Sequence, residues 1–149
     1  MESTRRRGAI ATALASMLLA ACTSANQVKP ETMQLATAPL VCRGDQCGVW
    51  WQRAREWVTQ HTQYPLQTDT ADAIETAGPT GGSGAPAFQV TRARNADGSS
   101  TIGFAAHCDR PLAGCRPDPW ESAAGFKAFV KSGAERAPSG QPAQAQPEQ

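Results

Sequence analysis

Apolar positions change their period along the chain, and the changes mark its elements. In "QCGVWWQRAREWVTQHTQ", residues 46–63, Trp50, Ala54, Trp57, Val58 and His61 fall at i, i+4, i+7, i+8 and i+11. That spacing is one face of a helix. Asp45 stands where an N-cap belongs, Trp51 lies beside the stripe, and Arg53, Arg55 and Glu56 lie away from its centre. Tyr64-Pro65 ends the run, because the residue before a proline is pushed out of the helical region. "LQT", Leu66 to Thr68, and "AIETA", Ala73 to Ala77, then read as short strands around the turn-prone "DTAD".

"AFQVTRA" and "STIGFAA" follow, joined by "RNADGS", in which Asp97-Gly98 is the hairpin signal. Phe88 and Val90 share a face that Arg92 continues, whereas Ile102, Phe104 and Ala106 alternate cleanly. A last helix opens at "DPWE", with Asp118 as N-cap, Pro119 at the first helical position and Glu121 closing a capping box. Ala123, Phe126 and Val130 form its apolar stripe and Gly133 stops it. The order predicts an α+β fold: a small antiparallel sheet, of short strands plus a hairpin, covered by an N-terminal and a C-terminal helix.

The first 21 residues have a different pattern. Arg5, Arg6 and Arg7 precede an uncharged apolar run, Ala9 to Ala21. This is the layout of a secretory signal, and it is too short to span a bilayer as a helix, which needs ~20 apolar residues. Leu19-Ala20-Ala21-Cys22 resembles the lipobox of bacterial lipoproteins, in which the cysteine is acylated and becomes the first mature residue. Thr23 and Ser24 follow it, and the absence of an Asp there implies, by the same resemblance, the outer membrane, facing the periplasm. The membrane is thus an expected partner through lipidated Cys22.

Composition narrows what the rest can do. Removing residues 1–21 takes away three Arg and one Glu, leaving 128 residues with 11 basic and 12 acidic side chains. That balance gives no electrostatic footprint for nucleic acid. Residues 22–40 are polar, without period, and read as a flexible tether; residues 132–149, rich in Pro, Gln, Gly and Ala, read as a disordered tail. A single domain, 41–131, remains, and a core of that size commonly needs covalent staples.

Five cysteines leave one odd, and lipidation of Cys22 leaves an even set of four. Cys42, Cys47, Cys108 and Cys115 are expected as disulfides, since export favours oxidation and neither spacing is C-x-x-C. Of three possible pairings, the local ones, Cys42–Cys47 and Cys108–Cys115, are preferred because each pair brackets a turn beside a helix start.

"CRGDQCGVWWQRAREWV", the Ile74/Thr76 strand, "FQVTRARNADGSSTIGF" and "HCDRPLAGCRPDPWESAAGFKAFV" together resemble a family of small proteobacterial lipoproteins of unassigned function. The resemblance spans roughly Cys42 to Val130, with the paired cysteines and "GCRPDP" its most distinctive parts. It implies an exported domain within these limits and supplies no activity.

Candidate chemistry is sparse. The Gly78 to Gly84 run lacks the lysine of a phosphate loop. His61 and His107 are the only histidines, and no metal set, cofactor site or catalytic set is expected. Four tryptophans exceed what one helix–sheet interface needs, so Trp51, Arg55 and Trp120 are the expected partner contacts. The favoured reading is a lipid-anchored, non-catalytic binding or adaptor module that meets an envelope protein or glycan. A small envelope enzyme using His107 with Asp109 or Glu75 is the first alternative, and a purely structural envelope component the second.

Overall fold

The computed structural model describes residues 28–110 and 114–135. Helix α1 (Pro30–Thr37) leads into β1 (Val41–Cys42) and α2 (Gln46–His61). Strands β2 (Leu66–Asp69), β3 (Ala73–Thr76), β4 (Ala87–Arg94) and β5 (Ser100–His107) follow, then α3 (Pro119–Ser132). The strands form one antiparallel sheet in the order β1-β5-β4-β3-β2. The disulfide-stapled α+β expectation holds.

Register divides the sheet into two faces. Ile74 pairs with Val90, Val90 with Phe104, Phe88 with Ala106 and Arg92 with Ile102, so these side chains share the face under the helices. Glu75, Gln89 and Ala105 form a row on the opposite face, and Ala73, Thr91 and Gly103 form the next. That face is small, polar and open, as an antiparallel sheet with one solvated side allows. A side chain at Gly103 would bring its Cβ within 2.7 Å of the Thr91 hydroxyl, so Thr91 and residue 103 cannot both be large without a shift.

The core is aromatic. Trp57 meets Phe88, Phe104 and Phe126 edge-on, with ring centroids 5.3, 5.5 and 5.5 Å away, while Phe104 stacks on Phe126 at 4.4 Å. Edge-on and offset contacts are the favoured arrangements for rings in a core. Gly125 brings α3 close enough that a Cβ there would touch Trp57 at 3.9 Å. Arg92 is held on the core face by the strand's two-residue period, and its Nε is buried without a partner among the described residues.

The helix ends follow the sequence at one site and depart from it at another. Asp118 accepts the Trp120 N–H at 2.8 Å, and Gly133, in the left-handed region at φ 75°, closes α3 by donating to the Phe129 carbonyl. Asp45, by contrast, has helical dihedrals and makes no side-chain cap bond; its carbonyl receives Gly48 N–H and Val49 N–H instead. Cys47, tied to Cys42, fixes that end covalently.

The larger correction concerns residues 30–40, expected as tether. They form α1 and a buried link: Thr32, Ala36 and Leu40 are buried, and Ala36 packs with Ala123 and Ala124 against Phe104. Lys127 donates from Nζ to the Ala36 carbonyl and, at 2.6 Å, to the Ala38 carbonyl, so α3 caps the C-terminus of α1. Burial, then the nearby Lys131 charge, lowers the Lys127 pKa. Alanine-on-alanine packing lets the backbones approach without a large apolar stripe, so there was no periodicity for the sequence to display. The Leu40 carbonyl accepts from Ile102 N–H at 2.8 Å, joining this link to β5. The expected signal segment, residues 1–21, the expected lipidation site Cys22 and the part of the expected tail beyond Glu135 lie outside the described residues. Among the described residues, no helix is long and apolar enough to cross a membrane.

Candidate functional site

One cluster of polar side chains lies where β3 ends, β4 begins and β5 ends. Gly78 enters that end at φ 87°, and a Cβ there would stand 3.0 Å from the Tyr64 ring, so glycine is required on both counts. The Tyr64 hydroxyl donates to Ser83 Oγ at 2.8 Å, and Ser83 Oγ also accepts Ala85 N–H at 3.1 Å. The bond with Ser83, followed by those with Thr80, outweighs burial and lowers the Tyr64 pKa.

The loop after β5 closes on the same glycine-rich segment. Asp109 Oδ2 accepts Gly82 N–H at 3.2 Å, and Arg116 N–H donates to the Gly84 carbonyl at 2.9 Å. The Cys108–Cys115 bridge, with Cα atoms 5.5 Å apart, joins the residue before Asp109 to the residue before Arg116. The other bridge is Cys42–Cys47, Cα–Cα 5.1 Å. Both expected local pairings are present. With the four thiols oxidised, none can ligate or attack.

The two carboxylates considered for His107 are engaged elsewhere. Asp109 is committed to Gly82. Glu75 accepts from Gln89 Nε2 at 2.7 Å and from the Thr68 hydroxyl at 3.1 Å. His107 pairs with Ala87, and Glu75 lies two strands across and one pleat down, ~12 Å from it by ordinary sheet spacings. His107 is exposed and no ion pair joins it to Asp109. No group of three or more His, Cys, Asp or Glu among the described residues is placed to hold a metal.

The tryptophan expectation divides. Trp51 is only 5% exposed and donates from Nε1 to the Thr70 carbonyl at 3.1 Å, so it packs inside rather than facing a partner. The loop before β3 covers it, a contact that helix periodicity does not reveal. Arg55, beside it, is bound through Nε to both Asp69 oxygens at 2.7 and 3.0 Å. Trp50 and Trp57 are buried, whereas Trp120 is 43% exposed in the first turn of α3. Of the three expected contacts, Trp120 alone is a free apolar surface.

In the sequence, Tyr64 shows only as the residue before Pro65 that ends the helix. Its role as the post holding the glycine-rich loop depends on Gly78 and Ser83, 14 and 19 residues away, and no local pattern announces it. Fold and site together define a small, doubly stapled α+β domain whose loop end is internally cross-tied. Comparison with protein-family models, curated proteins and solved structures finds no match.

Proposed function

We propose that this is a lipid-anchored envelope protein that acts by non-catalytic binding at the periplasmic face of a membrane, with Cys22 as the acylated residue. One observation carries the non-catalytic reading: the groups with chemistry to offer are spent on holding loops. Asp109 is bound to Gly82, Glu75 to Thr68 and Gln89, and Tyr64 to Ser83. A general base needs a partner within hydrogen-bond reach, and His107 has none among the described residues. The open sheet face, where Gln89, Thr91 and Ala105 are exposed, is a surface on which such contact can be made.

In-cell crosslinking of the lipidated protein tests the reading, with photoreactive side chains placed at Thr91 and at Ala105, both on the open face. Capture of one stoichiometric envelope component is the expected result. Capture from neither position, with the fold intact, would overturn the adaptor reading and direct attention to His107.

A further inference from the structure

We propose that the surface formed by α1 and the start of α3 rests on the lipid bilayer that carries the protein, with the Trp120 indole at headgroup level. The proposal rests on the reading of Cys22 as acylated.

The argument begins with chain length. Helix α1 begins at Pro30, so seven residues, 23–29, lie between it and Cys22 rather than the eighteen of a tether running to Leu40. Whatever their conformation, seven residues reach at most ~25 Å. A domain of about 105 residues has a radius of gyration near 13 Å, so it is roughly as wide as this link is long. It therefore stays at the membrane surface.

Which side faces the lipid follows from where the link enters. Six residues of helix take Pro30 to Ala36, ~9 Å at the helical rise. Ala36 packs directly on Ala123, and Trp120 is one turn before Ala123. Pro30 and Trp120 are thus within roughly 25 Å, allowing for ordinary helix packing distances. The same two-helix layer exposes Leu35, at 41%, so two of the five large apolar side chains facing solvent among the described residues lie on the layer that the link enters. A single exposed leucine is ordinary. An exposed tryptophan within reach of an acyl anchor is chemically suited to the interface, where its apolar ring and polar N–H are both satisfied. Trp51, the other candidate, is excluded by its burial.

The other three tryptophans are buried, which makes the test direct. The full-length acylated protein is reconstituted into phosphatidylethanolamine–phosphatidylglycerol vesicles, with and without brominated acyl chains, and compared with Trp120→Phe. Emission that disappears in Trp120→Phe belongs to residue 120, and the remaining emission reports that the variant is folded. The expected result is about twofold quenching of the Trp120 share by brominated lipid, as for an indole at the interface. Co-flotation of the protein with unquenched Trp120 would overturn the seat and leave the anchor standing. Crosslinking from position 120 to an envelope protein would also overturn it, in favour of a protein contact. Mass spectrometry showing unmodified Cys22, with no co-flotation, would remove the anchor reading and this proposal together.

Discussion

The two disulfides close loops of nearly the same length yet hold very different parts of the molecule. Cys42–Cys47 has a sequence separation of 5 and Cys108–Cys115 one of 7, so chain entropy assigns each about 2 kcal/mol. Their surroundings separate them. Cys42 is 0% and Cys47 5% exposed, both within the main core cluster beside Leu40 and Trp50, whereas Cys108 and Cys115 are half-buried at the loop end. The first bridge fastens β1 to α2 and fills core volume. The second shapes a surface loop whose further ties, Asp109 to Gly82 and Arg116 to Gly84, are single hydrogen bonds. A staple's value here is set by what it is packed among more than by the loop it closes.

Removing each bridge separately is the strongest test of that difference. Cys42→Ala with Cys47→Ala is expected to lose the chain-entropy contribution and leave a cavity, ~4–5 kcal/mol in all. Cys108→Ala with Cys115→Ala is expected to lose only the first part, ~2 kcal/mol. Urea unfolding of both variants measures the gap, and equal losses would mean that burial of the first bridge contributes nothing.

Reduction sharpens the same contrast without mutation. A dithiol must reach a sulfur to attack it, so access governs the native-state rate. Under folding conditions Cys108–Cys115 is expected to open at least about tenfold faster than Cys42–Cys47, which must wait for the core to unfold. Alkylation and mass spectrometry at timed intervals give the order. Simultaneous opening of both bridges would show that the loop end and the core unfold as one unit.

The two regions also differ in how far the sequence disclosed them. Around the core, period carried the information: the stripe of Trp50, Ala54, Trp57 and Val58 and the alternation of Ile102, Phe104 and Ala106 predict the elements that form. The Asp97-Gly98 turn was likewise legible, with Gly98 in the left-handed region at φ 82°. Helix α1 was not. Its buried positions, Thr32 and Ala36, are small and partly polar, and its stability comes from Lys127 and two alanines nearly ninety residues later. At the loop end, the cysteine spacing disclosed the local pairing but not its purpose. Tyr64, Ser83, Asp109 and Arg116 come to one end of the sheet only through the tertiary fold, and the burial of Trp51 is invisible to helix periodicity because its cover, Thr70, lies in the β2–β3 turn.

A smaller perturbation tests whether the loop end is held by several independent ties. Tyr64→Phe keeps the ring against Gly78 and deletes only the hydroxyl that donates to Ser83. It is expected to quicken amide exchange in residues 78–86 by roughly threefold and to leave the core amides unchanged, as local opening allows. Propagation of the change to α2 would contradict the division between core and loop end.

The smallest expected effect lies beside the first bridge, at the tip of the β4–β5 hairpin. Asp97 accepts the Ser99 hydroxyl at 2.6 Å and the Ser99 N–H at 3.0 Å, and it meets Arg43, the neighbour of Cys42, at 2.6 Å. Ser99 first, then Arg43, lowers its pKa from 3.8 to about 2. Because the folded value lies below the unfolded one, the stabilisation is complete above pH 3.8 and disappears as pH falls through about 2. The Ser99 amide resonance should therefore titrate with a midpoint near 2. The Arg43 and Asp97 side chains are 67% and 53% exposed, and an ion pair so open to solvent is well screened. Arg43→Ala should accordingly move that midpoint less than Ser99→Ala does. The reverse order would mean that β1 is fastened to the hairpin by a surface charge, and the core corner would then owe less to its buried sulfurs than the comparison of the two bridges claims.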